Sequence, residues 1–371
     1  MKIAVNMLPY TSYQGTETYT KNILNSAIRL YPNHKFVFIG HELTPQLFRF
    51  SGENVEFLTL PIKKFNRFRL PIFQQIKLYS VLRAIAPDAL LCTSYSAPLF
   101  YKNKFVTIHD CSLDRFNELP SFLAKLYAKA MYYGAKWFSK KIITISEFSK
   151  RELTDIYGIS ENSIKVIYEG VPELPSSMID SREALQKFNI KSKYFLYVGI
   201  TRPRKNIQRL LKGFKIFTEK FPGYILVLAG KIDTSFFDVL SEIEKLGIRD
   251  KVIQTDFISD DEKVILYKNS EALLFPSLYE GFGLPVLEAQ NLGVPVLTSK
   301  TSCLPEIGGE GGACYVDPTD ENDIAEGMEK ILNEQFRKEI ITRGGINVRR
   351  FSWDKAAQEL IREIELCENQ V

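Results

Sequence analysis

Short apolar runs alternate with longer stretches of helical spacing along most of this chain. In the first half, residues 2–8, 35–40, 55–59, 89–92, 105–108, 141–145 and 165–168 read as buried strands. Between some of them, residues 18–30, 123–138 and 149–157 carry apolar side chains at helical intervals. Strands alternating with helices predict a parallel sheet covered on both faces. The run Val171-Pro172-Glu173-Leu174-Pro175-Ser176-Ser177 breaks the pattern and predicts a linker over 172–192. The grammar then restarts, with strands at 195–199, 225–230, 252–257, 273–276 and 296–299. Helices are predicted at 207–220, 236–246, 261–269, 285–292 and 321–334, and a last amphipathic one at 353–366. The fold class predicted is α/β, with two doubly wound domains, 1–171 and 193–352, facing each other across a cleft.

Composition narrows this further. A chain of 371 residues suits about two domains, and 45% hydrophobic with 25% charged residues suits a full core. The five cysteines, Cys92, Cys111, Cys303, Cys314 and Cys367, form no Cys-x-x-Cys pair. That argues against a disulfide scaffold or zinc cluster and predicts a reducing, cytoplasmic compartment. Met1 leads directly into a strand-like run, which is read as the absence of a signal peptide. No apolar stretch reaches the roughly 18 residues of a membrane span. Residues 1–171 hold 22 Lys/Arg against 13 Asp/Glu, and residues 172–371 hold 26 against 31. The basic amino half predicts an anionic partner.

The chemistry concentrates at strand ends. Residues 272–276 read as a strand, followed by Glu280-Gly281-Phe282-Gly283-Leu284-Pro285-Val286-Leu287-Glu288. Pro285 suits a first helical turn, so the motif is a strand–loop–helix corner. Free amides at such a helix start attract a phosphate, and carboxylates on either side suit sugar hydroxyls. Arg204 and Lys205 follow the first strand of the second half and are placed to hold a diphosphate, or else line a solvated loop. Asn206 is read as the cap of the helix after them. Gly15, in Gln14-Gly15-Thr16-Glu17, either lets backbone approach a ligand or merely turns the chain. His109 ends a strand and reads as a substrate contact or as a structural histidine. Asp110 is placed to orient its ring or to cap the next segment. Ser146 and Ser149 read as helix-start caps, and Asp260-Asp261 as another.

Two segments mix cations with aromatics. Lys63, Lys64, Arg67 and Arg69 lie among Phe65 and Phe68. Lys125, Lys129, Lys136, Lys140 and Lys141 lie among Tyr127, Tyr132, Tyr133, Trp137 and Phe138. Both suit an anionic membrane surface, the first segment more so, while the second also reads as a core helix with snorkelling lysines. No recognised nucleic-acid-binding motif is present.

Taken together, these motifs resemble the retaining GT-B glycosyltransferases of family 4, also described as glycosyltransferase group 1. The resemblance covers nearly the whole chain and is strongest from Val166 to Pro318. It rests on Pro276 to Pro285 with Glu288-Ala289, which matches an E-x7-E signature. It also rests on Gly199 with Arg204-Lys205-Asn206, on Thr298-Ser299 with Leu304-Pro305-Glu306 and on Val166 to Val171. His109-Asp110 and the Val316-Asp317-Pro318 turn agree as well. The resemblance implies two Rossmann-like domains, acceptor-binding (1–171) and nucleotide-sugar-binding (193–352), with the terminal helix (353–371) crossing back onto the first. It implies that Glu288 binds the nucleotide ribose and that Glu280, Gly281, Phe282, Gly283 and Leu284 hold the donor sugar. Arg204 and Lys205 then grip the diphosphate, and His109 lies beside the transferred sugar. Two features depart from the family: one glycine, Gly15, stands in a loop that often has two, and Asn206 replaces a common glycine.

The resulting expectation is a retaining hexosyltransferase that needs no metal and no cofactor. Its donor is a nucleoside diphosphate sugar, with GDP-mannose favoured. Its acceptor is a glycan hydroxyl, polyprenyl-linked, at the inner face of the cell membrane, in surface polysaccharide synthesis. The alternatives are a sugar-nucleotide epimerase on the same fold and a non-catalytic glycan- or membrane-binding module.

Overall fold

The computed structural model describes residues 1–10, 15–61, 73–116, 121–174 and 180–368. Lys63, Lys64, Arg67, Arg69 and Gln14 therefore lie outside the described residues. The chain divides into two compact units, Met1–Gly170 with Phe351–Val371, and Val171–Arg350.

The first unit is built on seven parallel strands: β1 (Lys2–Asn6), β2 (Lys35–Gly40), β3 (Val55–Thr59), β4 (Ala89–Cys92), β5 (Lys104–Thr107), β6 (Lys141–Thr144) and β7 (Ile164–Val166). Their order is β3-β2-β1-β4-β5-β6-β7, so the direction of winding reverses between β1 and β4. The inner strands are buried along their length, as in Ile3, Ala4 and Val5, which explains their continuous apolar runs. Helix Glu147–Tyr157 is capped by Ser146, whose Oγ accepts from the Ser149 amide at 3.1 Å.

The terminal helix Trp353–Glu368 packs against helix Gly15–Leu30 of this unit. Its buried stripe is Trp353, Ala356, Ala357, Leu360, Ile361 and Ile364. Polar contacts fasten it: Asp354 ion-pairs with Arg29 and Glu363 with Lys141 at 3.1 Å, and Glu365 Oε1 lies in hydrogen-bond contact with His34 Nε2 at 3.0 Å. Gly170 makes its start fit, because a Cβ there would meet the Trp353 backbone nitrogen at 2.2 Å.

The second unit holds β8 (Lys193–Val198), β9 (Tyr224–Ala229), β10 (Val252–Gln254), β11 (Ala272–Phe275), β12 (Val296–Ser299) and β13 (Cys314–Val316). The order β10-β9-β8-β11-β12-β13 is again fully parallel, and its reversal falls between β8 and β11. Ligands of doubly wound sheets bind beyond the strand ends at such reversals.

Several elements differ from the sequence reading. Residues 172–192 are not simply a linker. Asp180 caps a helix over Ser181–Lys187, which packs on helix Asp260–Lys268 and pairs Lys187 with Glu262. The aspartates at 260 and 261 are not caps but lie inside the first turn. Ser259 is the cap, in a capping box with Glu262. β13 and helix Glu334–Asn347 were not predicted. Among the described residues, no helix is long and apolar enough to cross a membrane.

Candidate active site

In the second unit, the loops after β8 and β11 converge on one carboxylate. After β8 the chain makes a tight turn over Pro203–Lys205, and Asn206 then adopts a left-handed backbone with φ 60°. This conformation explains an asparagine where glycine is common, since both tolerate it. The Asn206 side chain does not cap the following helix. Its Nδ2 donates to Pro276 O (3.0 Å) and Pro318 O (2.6 Å), bracing the ends of β11 and β13. The Leu278 amide donates to Arg204 O at 2.8 Å, locking the two loops together.

Glu280 lies at the meeting point and is only 5% exposed. Arg204 Nη1 donates to its Oε2 at 2.9 Å, and Lys205 Nζ to its Oε1 at 2.7 Å. Lys205 Nζ also sits 4.6 Å from the Phe275 ring centroid. Burial pushes the Glu280 carboxyl up, but the charges of Lys205 and Arg204 outweigh it and hold the group below the usual carboxylate range. The loop is fixed from behind: Ser302 Oγ accepts from the Glu280 amide, and Cys303 Sγ donates to the carbonyls of Glu280 and Phe282.

Gly283 follows with φ 106° and opens helix Leu284–Asn291. A Cβ at this glycine would also stand 2.9 Å from Leu304 Cδ2. One turn into that helix, Glu288 is buried, accepting from Lys263 Nζ and Tyr267 OH, both at 2.9 Å. Burial lowers the Lys263 ammonium's pKa, but the Glu288 charge and hydrogen bond overcome that and raise it. Burial, with Glu288 adding to it, raises the Tyr267 phenol far above its usual range, so it stays a donor.

The first unit places His109 just past β5. Its Nε2 is 3.0 Å from Thr93 O, and its Nδ1 is 3.8 Å from Glu169 Oε1. Tyr19 meets the ring edge-on at 4.8 Å. Both ring nitrogens thus face acceptors. Burial disfavours the imidazolium, but the Glu169 hydrogen bond and charge, with Thr93 O and Asp110, more than offset it and raise the pKa. Asp110 does not orient the ring; its Oδ1 accepts from the Ser112 amide (2.9 Å) and hydroxyl (2.6 Å), capping the next turn. Ser149 Oγ donates to His109 O at 2.9 Å. Beyond β1 and β4, Tyr10, Thr20 and Thr93 share buried hydroxyl contacts of 2.8–2.9 Å, and burial pushes the Tyr10 phenol up to about 12. Gly15 opens helix Gly15–Leu30 directly, with Thr16 and the buried Glu17 behind it.

Residues 180–368 match the family described as Glycosyl transferases group 1, and residues 13–173 match Glycosyltransferase Family 4. The chain belongs to the group 1 glycosyl transferases. Its relatives include O-antigen chain mannosyltransferase B of Escherichia coli, 30% identical over 283 residues, which span 73% of this chain and 74% of that one. O-antigen chain mannosyltransferase RfbU of Salmonella typhimurium is 29% identical over 278 residues, 75% of this chain and 74% of its own. Among solved structures, the lipopolysaccharide glycosyltransferase WaaG superposes over 98% of this chain and 99% of its own, with TM-score 0.72 and 17% identity. Anabaena Alr3699/HepE, crystallised with UDP and glucose, gives TM-score 0.74 at 18% identity over 98% and 99%. These likenesses show the GT-B fold class. Family membership makes the protein a glycosyltransferase rather than an epimerase or a non-catalytic module.

Of the residues singled out in the sequence, this glycosyltransferase brings Arg204, Lys205 and Glu280 into direct contact, with Gly281, Phe282, Gly283 and Leu284 completing the corner. Four further residues were missed. Thr93 and Glu169 fix the His109 ring, and Lys263 and Tyr267 hold Glu288. The only local signal for the last two is their spacing of one helical turn, which puts both on one face of helix Asp260–Lys268. Glu169 stood within a recognised motif without a role.

The Glu169 contact makes a measurable prediction. His109 has a raised pKa, so its imidazolium is retained up to the ordinary histidine value and lost as pH rises through the elevated one. Glu169→Gln removes the largest charge that holds the proton. The basic limb of the kcat/KM–pH profile is expected to move to lower pH, with Asp110 and Tyr19 unchanged beside the ring. An unmoved limb with weaker folding would leave Glu169 a packing residue only.

Proposed function

We propose that this glycosyltransferase moves a hexose, with mannose favoured, from a nucleoside diphosphate sugar to a hydroxyl of a polyprenyl-linked glycan in surface polysaccharide synthesis. The donor favoured is GDP-mannose. Configuration at the anomeric carbon is retained, and no metal is needed. The carrying observation is the pair of half-buried cations, Arg204 and Lys205, held on the buried Glu280 beside the sheet reversal, where the fold class binds ligands. The mannosyltransferase names of the relatives favour mannose, and the O-antigen chain in those names favours a glycan acceptor. The HepE complexes with UDP and UDP-glucose support a nucleotide sugar as donor.

In this reading, sugar departure from the diphosphate builds negative charge on the leaving oxygen. Arg204 and Lys205 are already partly desolvated and oriented, so they meet that charge with little reorganisation. Both cations donate to the Glu280 carboxylate. The diphosphate competes for the two cations and frees the Glu280 carboxylate to accept from sugar hydroxyls. Front-face attack by the acceptor, with the leaving phosphate taking its proton, gives retention without an enzymic nucleophile. The acceptor O–H is broken, the new C–O bond forms on the face the diphosphate leaves, and the nucleoside diphosphate departs with the proton.

A thermal-shift series with GDP, UDP, ADP and dTDP tests the donor. GDP is expected to raise Tm most, because a ligand at 100 times its Kd adds about 2.7 kcal/mol of stability. Turnover of GDP-mannose should survive EDTA, and the product's anomeric proton should report the donor's configuration. Loss of activity in EDTA would overturn the metal-free scheme, and a larger shift with UDP would overturn the base assignment.

A further inference from the structure

Helix Phe122–Phe138 of the first unit is apolar on two opposite faces. Ala128, Met131, Tyr132, Gly134 and Ala135 face the core. On the other side Phe122 (79% exposed), Leu126 (55%), Tyr133 and Trp137 (70%) recur at i, i+4, i+11 and i+15, a single stripe in water. Leu123 lies beside it, and at the far end exposed Phe100 packs edge-on against Phe138 at 5.3 Å. The stripe follows a helix of 17 residues, about 25 Å long. Monomeric proteins rarely leave so continuous an apolar surface uncovered.

The charged residues of the segment itself are all cations. Residues 121–146 contain Lys125, Lys129, Lys136, Lys140 and Lys141 and no carboxylate. Lys125, Lys129 and Lys136 share one flank of the helix. Lys129 reaches Asp114 at 3.3 Å, Lys136 donates to Tyr157 O, and Lys140 pairs with Glu368. Lys141 pairs with Glu363, so the lysines of this segment without a carboxylate partner among the described residues are Lys125 and Lys136.

We propose that this outer face docks on a bilayer leaflet rich in anionic lipid. The helix lies in the interface plane, Phe122, Leu126 and Trp137 enter the acyl boundary, and the lysine flank meets lipid phosphates. This is a different segment from the cationic 63–69 run. It does not depend on the donor assignment, because docking is read without any nucleotide sugar.

Trp137 supplies a local readout, since the other tryptophan, Trp353, is buried. Vesicles of phosphatidylcholine with phosphatidylglycerol are expected to bind the full chain and shift Trp137 emission to the blue. Brominated acyl chains should quench it, and Trp137→Phe should abolish the shift while keeping binding. Phosphatidylcholine alone, or high salt, should bind weakly. Lys125→Gln with Lys129→Gln should weaken binding about tenfold or more, and Leu126→Glu should abolish it with nucleotide-induced thermal shifts intact. No binding to anionic vesicles overturns the proposal. So does binding that Leu126→Glu leaves unchanged. A dimer in sedimentation that buries Trp137 overturns it in favour of a second copy as occupant.

Discussion

Arg204→Ala and Lys205→Ala are each expected to lower kcat about a hundred- to a thousandfold, the range seen when one preorganised charge-stabilising donor is removed. Both side chains touch the same carboxylate, so their loss also affects folding. Each variant leaves Glu280 buried with one cation instead of two. A buried charge with an incomplete shell costs about 1–3 kcal/mol. Activity loss could then be mistaken for unfolding, and a further substitution separates the two. Glu280→Gln added to Arg204→Ala with Lys205→Ala removes the buried carboxylate that the double variant leaves without a cation, so Tm should recover while turnover stays low. The pH dependence gives an independent check. The two cations hold Glu280 below its ordinary value of 4.5, so the unfolded chain takes the proton first. Its contribution to stability is fully present above pH 4.5 and is lost as pH falls through the lowered value. With Arg204 and Lys205 both replaced, burial, the largest influence on the carboxyl, is opposed only by the Ser277 hydroxyl and raises it. The difference in Tm between the double variant and the parent should therefore widen from acid toward neutral pH. Near-normal turnover in both single variants would refute the leaving-group role.

The corner from β11 to helix Leu284–Asn291 was legible because its signals are local. An apolar run, two glycines and a proline mark strand, elbow and helix within a dozen residues. Arg204 and Lys205 were legible by position, as the first charged residues after a strand end. Their shared partner was not, because Glu280 lies 76 and 75 residues away and such pairing leaves no trace in local periodicity. Asn206 does stand at the N-cap position, but its left-handed backbone comes with no side-chain capping bond, which residue type alone does not reveal because asparagine favours both caps and left-handed backbone. β13 is three residues long and follows a glycine-rich stretch, too short for a period to show. Helix Glu334–Asn347 buries only Ile340, Gly344 and Asn347, so it presents no apolar stripe. Helix Ser181–Lys187 is two turns hidden in what composition marks as a linker. The outer stripe of helix Phe122–Phe138 was visible as aromatic content. Which aromatics face the core could be decided only by the packing of that helix on its sheet.

Glu288→Ala is expected to act on donor binding rather than on the chemical step. In the proposed assignment its carboxylate accepts from the ribose, a part of the donor that does not change between ground and transition states. Hydrogen bonds to a charged group are worth about 1.5–3 kcal/mol, so the nucleotide Kd should rise about ten- to a hundredfold. With kcat at saturating donor nearly unchanged, the loss would be of uniform binding. The same substitution strands Lys263, whose remaining partner, Asp260, is exposed at 3.4 Å. A stability loss of about 1–3 kcal/mol follows. Lys263 has its pKa raised above 10.5, so the pair contributes fully below that value and fades only as pH rises past it. The deficit should therefore be constant between pH 6 and 8, unlike that of the Glu280 corner in acid. Adding Lys263→Met removes the unpaired ammonium and should return stability without returning nucleotide affinity. If calorimetry gives the Glu288→Ala chain the parent's Kd while Tm still falls, then Glu288 braces two helices and the ribose is held elsewhere.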